Sequence, residues 1–110
     1  MVNAFLEFLG DNPHIRLLDF LISGREFDYT LTDLAENSGM SWSTLHRIFP
    51  VFEKKSIVVK TREVGRAKLF KLNQNNIRVK KLVLFYDTIL KSQLESLEEK
   101  QKEKVKVSVL

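Results

Sequence analysis

Residues 31–48 read LTDLAENSGMSWSTLHRI, and the packing they demand decides how the rest of the chain is arranged. Thr32 offers a hydroxyl that can cap a helix over residues 33–38, and Asp33 sets a negative charge at the positive end of that helix. Gly39 follows as a residue able to take a positive φ, so the chain turns sharply there. Ser41 caps a further helix beginning at Trp42, with Leu45, Ile48, Phe49 and Phe52 as its buried side by their helical spacing. Ala35 is small where the two helices cross, and Leu34, Met40, Leu45 and Ile48 wedge them together. Pro50 stands inside the second helix. Its missing N–H and the clash of its ring with the carbonyl of His46 predict a kink or an early end near Phe49.

Working upstream, Phe5, Leu6, Phe8 and Leu9 predict a short helix over residues 3–9 that must pack on something to persist. Asp11 or Asn12 caps the next helix, Pro13 suits its first turn, and Ile15, Leu17, Leu18, Leu21 and Ile22 form its apolar stripe before Gly24. Residues 27–31 are short, aromatic and β-like. Downstream, residues 57–63 and 67–73 mix β-branched and aromatic with basic residues on either side of Gly65, which predicts a β-hairpin. From Ile77 to Leu97 apolar residues recur at spacings of three and four, so one long helix runs to about Lys100. Residues 101–110 follow a charged run and are expected as a disordered tail. The expected class is mainly α with a small β-hairpin, an α+β fold. At 110 residues one domain over 1–110 is expected, its body and hairpin in 13–75 and the long helix in 76–100.

Charge is distributed unevenly. The net value is +4 and the pI about 9.4, yet residues 1–40 carry two bases against seven acids, whereas residues 41–73 carry eight bases against two acids. The middle third therefore holds the positive field that a polyanion would feel. Cysteine is absent, which excludes disulfides and thiolate metal sites and fits a reducing, cytoplasmic setting. No apolar run approaches the length of a membrane span, and the N-terminus lacks a signal-peptide pattern. No nucleophile stands beside a base and no glycine loop cradles phosphate, so an enzyme is not expected. His14 and His46 lack further ligands at metal spacing, and neither metal nor cofactor is expected.

The order helix, helix, turn, helix, hairpin, helix, with Ala35, Gly39 and the wedge residues in place, resembles the winged helix-turn-helix family of transcription regulators, particularly its compact bacterial and archaeal types. The resemblance covers about residues 13–90, and SWSTLHRIF at 41–49 looks like the family's recognition helix. It implies sequence-specific binding of double-stranded DNA, recognition helix in the major groove and hairpin wing beside the minor groove. On that reading Ser41, Ser43 and Thr44 donate to phosphates near the helix start, His46 sits on the outer face, and Arg47 reads guanine or clamps a phosphate. Trp42 touches thymine methyls or sugar, or else folds over Met40 or the wing as partial core. Lys60, Arg62, Arg66 and Lys68 flank the wing tip, with Arg66 suited to the narrow minor groove. Two departures from the family pattern concern geometry: Pro50, and Ser56 where relatives commonly carry glycine, so that Ser56 needs a left-handed conformation or a different cap.

The long helix carries more apolar surface than a small body can cover. Val83, Leu90 and Leu97 repeat every seven residues with Tyr86 and Leu94 between them, which predicts a homodimer through this helix, joined by Phe5 and Phe8 from the N-terminal segment. Two other functions use the same pattern: a winged-helix module that holds protein subunits, and an architectural or segregation DNA-binding protein. RNA is a poorer partner, since its deep major groove does not admit a reading helix.

Overall fold

The computed structural model describes residues 3–109, with side chains described over residues 3–101. Five helices and one hairpin succeed each other as α1 (Ala4–Leu9), α2 (Pro13–Ser23), α3 (Leu31–Asn37), α4 (Trp42–Lys54), β1 (Val58–Val64), β2 (Ala67–Leu72) and α5 (Ile77–Val109). The strands pair antiparallel as a two-stranded sheet, so the expected α+β class is the one observed.

Local chemistry sets the helix starts. Asn12 caps α2, its side chain accepting from the Ile15 N–H, with Pro13 in the first turn. Asp11 instead pairs with Arg16. The expected cap of α3 was Thr32, and the structure corrects it to Thr30. The Thr30 hydroxyl accepts from the Asp33 N–H while the Asp33 carboxylate accepts from the Thr30 N–H, a reciprocal capping box that satisfies two donors where Thr32 would satisfy one. Ser41 caps α4 as expected.

Two helices end in the same way. After α3 the Gly39 N–H donates to Glu36 and the Met40 N–H to Ala35, with Gly39 at φ +65°. After α4 the Ser56 N–H donates to Glu53 and the Ile57 N–H to Phe52, with Ser56 at φ +56°. Both are left-handed helix ends, and Ser56 takes the left-handed conformation, the first of the two alternatives expected for it. Its carbonyl accepts from the side-chain amides of Asn73 and Asn76, which ties the end of α4 to the start of α5.

The helix α4 does not end near Phe49. It continues through Pro50 to Lys54. Pro50 and His46 lie on the exposed side, where water can satisfy the His46 carbonyl that lacks its partner, while Phe49 and Phe52 hold the last turns against the core. Over residues 101–109, where a tail was expected, α5 continues to Val109. Residues 98–104, EEKQKEK, are strong helix formers, and no glycine or proline follows Gly65 to stop them.

The core gathers Leu17, Leu21 and Ile22 of α2, Leu34 and Ala35 of α3, the inner face of α4, Val58, Phe70 and Leu72 of the hairpin, and Val79 and Tyr86 of α5. Each large apolar side chain fully buried here contributes about 1.5–3 kcal/mol. Phe5 and Tyr86, expected at a dimer interface, belong to this core. Phe5 is fully buried with its ring 4.9 Å from that of Tyr86, and the Tyr86 hydroxyl donates to Asp19. Burial pushes the Tyr86 phenol up to about 12. The N-terminal helix and α5 thus serve the body first. Phe8 remains outside, edge-on to Phe85.

Candidate nucleic-acid interface

The inner face of α4 is fixed by Leu45, Ile48, Phe49 and Phe52, all buried, so its periodicity turns Trp42, Ser43, His46 and Arg47 outward. The Ser41 hydroxyl accepts from the Thr44 N–H at 3.2 Å and donates to the Thr44 hydroxyl at 2.9 Å, with the Ser43 hydroxyl 3.2 Å away. Three short hydroxyls therefore cluster at the positively polarised start of the helix. Trp42 is not partial core. It is 57% exposed, and its ring centroid lies 3.5 Å from that of His46.

The hairpin supplies the second wall. Val64 pairs with Ala67 across a two-residue turn, Gly65 has φ +62°, and Arg66 keeps a negative φ. Glycine at the first central position matches the hairpin turn whose twist suits the strands. Arg66 therefore stands at the tip, as expected. A cleft of about 450 Å³ lies between wing and helices, lined by Thr30 and Thr32, by Trp42 and His46, and by Lys60, Arg66 and Lys68. Thr30, Thr32 and the acid Glu53, also in this cleft, were not among the residues predicted for the site. The place of Thr30 and Thr32 depends on where Tyr29 exchanges backbone hydrogen bonds with Phe70 at 2.8 Å, a long-range pairing that no local pattern encodes, whereas Glu53 follows His46 by about two turns of α4.

The wing cations are not equivalent. Arg62 grips Asp28 through Nε and Nη2 at 3.0 and 3.2 Å, and Lys60 pairs with Glu63. The Arg62 guanidinium, helped by the Thr61 hydroxyl, holds the Asp28 carboxyl below the usual carboxylate range, and Asp28 raises Arg62 in return. Lys60, with Lys68 opposite in the strand register, lowers Glu63 likewise. Among the described residues no ion pair engages Arg47, Arg66 or Lys68. Of the cations expected at the site, Arg47, Arg66 and Lys68 are thus open to an anionic partner, whereas Lys60 and Arg62 are tied to acids of this chain.

Among the described residues no group of three His, Cys, Asp or Glu side chains is placed to hold a metal ion, and no helix is long and apolar enough to cross a membrane. Of the residues expected to join two copies, Leu90, Leu94 and Leu97 are exposed along α5 and Val83 is half-buried against the core.

The fold is similar to those of solved regulators. MepR, a transcription regulator of the Staphylococcus aureus multidrug efflux pump MepA, matches with a TM-score of 0.60 at 19% identity, over 94% of this chain and 78% of its own. A variant of S. aureus MepR bound to an oligodeoxyribonucleotide matches at 0.64 and 21% identity, over 96% of this chain and 82% of its own. NadR in complex with 4-hydroxyphenylacetate matches at 0.64 and 19% identity, over 94% of this chain and 72% of its own. No family model matches the sequence, and no curated protein matches it. At these identities the likeness establishes that the chain has the winged helix-turn-helix fold.

Proposed function

We propose that the chain is a sequence-specific double-stranded DNA-binding protein, acting as a cytoplasmic transcription regulator and as a homodimer, with α4 in the major groove and the wing at the minor groove. The observation that carries this reading is the cleft that Trp42 and His46 of α4 share with Lys60, Arg66 and Lys68 of the wing, with Arg47 exposed and the hydroxyl cluster at the start of the same helix. Arginine presents a fork that fits guanine or phosphate, and short hydroxyls at a helix start fit phosphate oxygens. The likeness to a MepR variant solved with an oligodeoxyribonucleotide supports the same partner.

Selection of bound duplexes from a random pool, followed by titration of the recovered duplex at rising salt, tests it. Arg47, Arg66 and Lys68 in each of two copies neutralise about six phosphates, so affinity should fall about a thousandfold between 50 and 200 mM salt by counterion release. Failure to recover a shared sequence, or an affinity indifferent to salt, would overturn the reading.

A further inference from the structure

Trp42 is the one tryptophan of the chain, and it opens α4 with more than half of its surface in water. An exposed indole forgoes one of the largest gains that side-chain burial offers, so its position asks for a partner. The chain supplies none from its core: Trp42 belongs neither to the buried cluster nor to the side chains packed around it. Its aromatic neighbour is His46, one turn further along the same exposed face, with centroids 3.5 Å apart and planes tilted by 44°. His46 braces one side of the indole. The remainder borders the cleft that Arg66 and Lys68 enter from the wing.

With α4 in the major groove, a proposition that rests on the DNA-binding reading above, the first turn of the helix is the part that meets base edges. Those edges present hydrogen-bonding groups and a single kind of apolar group, the C5-methyl of thymine. The guanidinium of Arg47 serves the hydrogen-bonding groups and is blind to that methyl, while the hydroxyls of Ser41, Ser43 and Thr44 serve phosphate oxygens near the helix start. We infer that Trp42 is a specificity-determining residue that reads a pyrimidine C5-methyl group, so that the protein distinguishes thymine from uracil, and 5-methylcytosine from cytosine, at one position of each half-site. The braced indole offers a rigid apolar surface there, at little cost in side-chain freedom on binding.

The test uses the duplex recovered by selection, with its thymines replaced one at a time by deoxyuridine, which removes only the methyl group. Affinity is read by anisotropy of a labelled duplex, and the emission of Trp42 is followed in the same titration. The expected result is a loss of about fourfold at one thymine of the half-site, the factor set by burying one methyl group, with a shift in tryptophan emission on binding. Cytosine at that position should bind more weakly than 5-methylcytosine by a similar factor. Trp42→Ala should bind thymine and uracil duplexes equally, and Trp42→Phe should keep part of the difference. Equal binding of thymine and uracil at every position by the wild-type protein overturns the inference while leaving DNA binding intact. Discrimination that survives in Trp42→Ala overturns it too and gives the indole to another partner. Failure to bind any duplex overturns the DNA-binding reading itself, and this inference falls with it.

Discussion

Ser56 shows how far a single position can be read before its surroundings are known. Its place just after the cap of α4 called for a left-handed backbone or a different cap, and φ is +56°. For an L-residue that conformation costs about 1–2 kcal/mol, because Cβ crowds the following carbonyl. The chain accepts the strain where Asn73 and Asn76 hold the Ser56 carbonyl, a contact that depends on α5 returning to the end of α4 and so was not legible locally. Glycine would remove the clash and keep the carbonyl, at the expense of extra freedom in the unfolded chain. Ser56→Gly should therefore stabilise the protein by up to about 1 kcal/mol, read as a higher denaturant midpoint with an unchanged slope. A lower midpoint would mean that the serine hydroxyl contributes something the backbone argument lacks. Trp42 illustrates the opposite limit. Its sequence position fitted a DNA contact and partial core equally, and its exposure of 57%, outside the buried cluster, argues against the core.

The helices were more legible than the wing. Apolar spacing located α2, α4 and α5, because the period of an amphipathic helix is written in consecutive residues, whereas the end of α4 and the cap of α3 turned on which of two local rules prevailed. In the wing, basic residues marked the element without revealing which of them were already engaged. The register slips between Lys60 and Arg62, so that Lys60 faces Phe70 and Arg62 faces Leu69, leaving Thr61 as the extra residue of a bulge. In a regular strand neighbours point to opposite faces; the bulge lets Thr61 and Arg62 both reach Asp28, the hydroxyl at 2.6 Å and the guanidinium through two bonds. Asp28 immediately precedes Tyr29, which itself pairs with β2, and the wing is thereby pinned to the body at two adjacent residues. Because Arg62 and Thr61 depress the Asp28 carboxyl, the ion pair stabilises the fold above the unfolded carboxyl value of about 4 and loses that contribution as pH falls through the lower folded value. Asp28→Asn removes the pair at every pH. Thermal midpoints of the two proteins should thus differ at pH 7 and converge below about pH 4. A gap that persists undiminished to pH 2 would show that the charge on Asp28 is not what holds the wing.

The molecule as a whole measures 64 × 29 × 24 Å, and its length comes from α5, whose 33 residues span about 50 Å at 1.5 Å per residue. The core engages this helix through Val79, Leu82, Val83, Tyr86 and Ile89. Beyond them Leu90, Leu94 and Leu97 continue at spacings of four and three with 37%, 61% and 50% of their surface exposed. Phe8 and Phe85 add an exposed aromatic pair on α1 and α5. A row of leucines reaching past the body is costly to leave in water, and in the proposed homodimer a second copy related by a two-fold axis would cover it with the same row. Two identical reading helices would then impose an inverted repeat on their site, with half-sites about 10 base pairs apart so that both enter major grooves on one side of the duplex. Leu94 and Leu97 are the cleanest positions at which to test this, because neither belongs to the core or the side chains packed on it. The paired change Leu94→Lys and Leu97→Lys should leave the helical content and thermal midpoint of the body in place while halving the mass seen by light scattering, from twice 12.8 kDa to 12.8 kDa. The same variant should protect one half-site and bind it with a shallower dependence on salt, since half of the phosphate contacts are gone. A wild-type protein that already scatters at 12.8 kDa at micromolar concentration, or a selected site without two-fold symmetry, would break the link between the leucine row and the second copy.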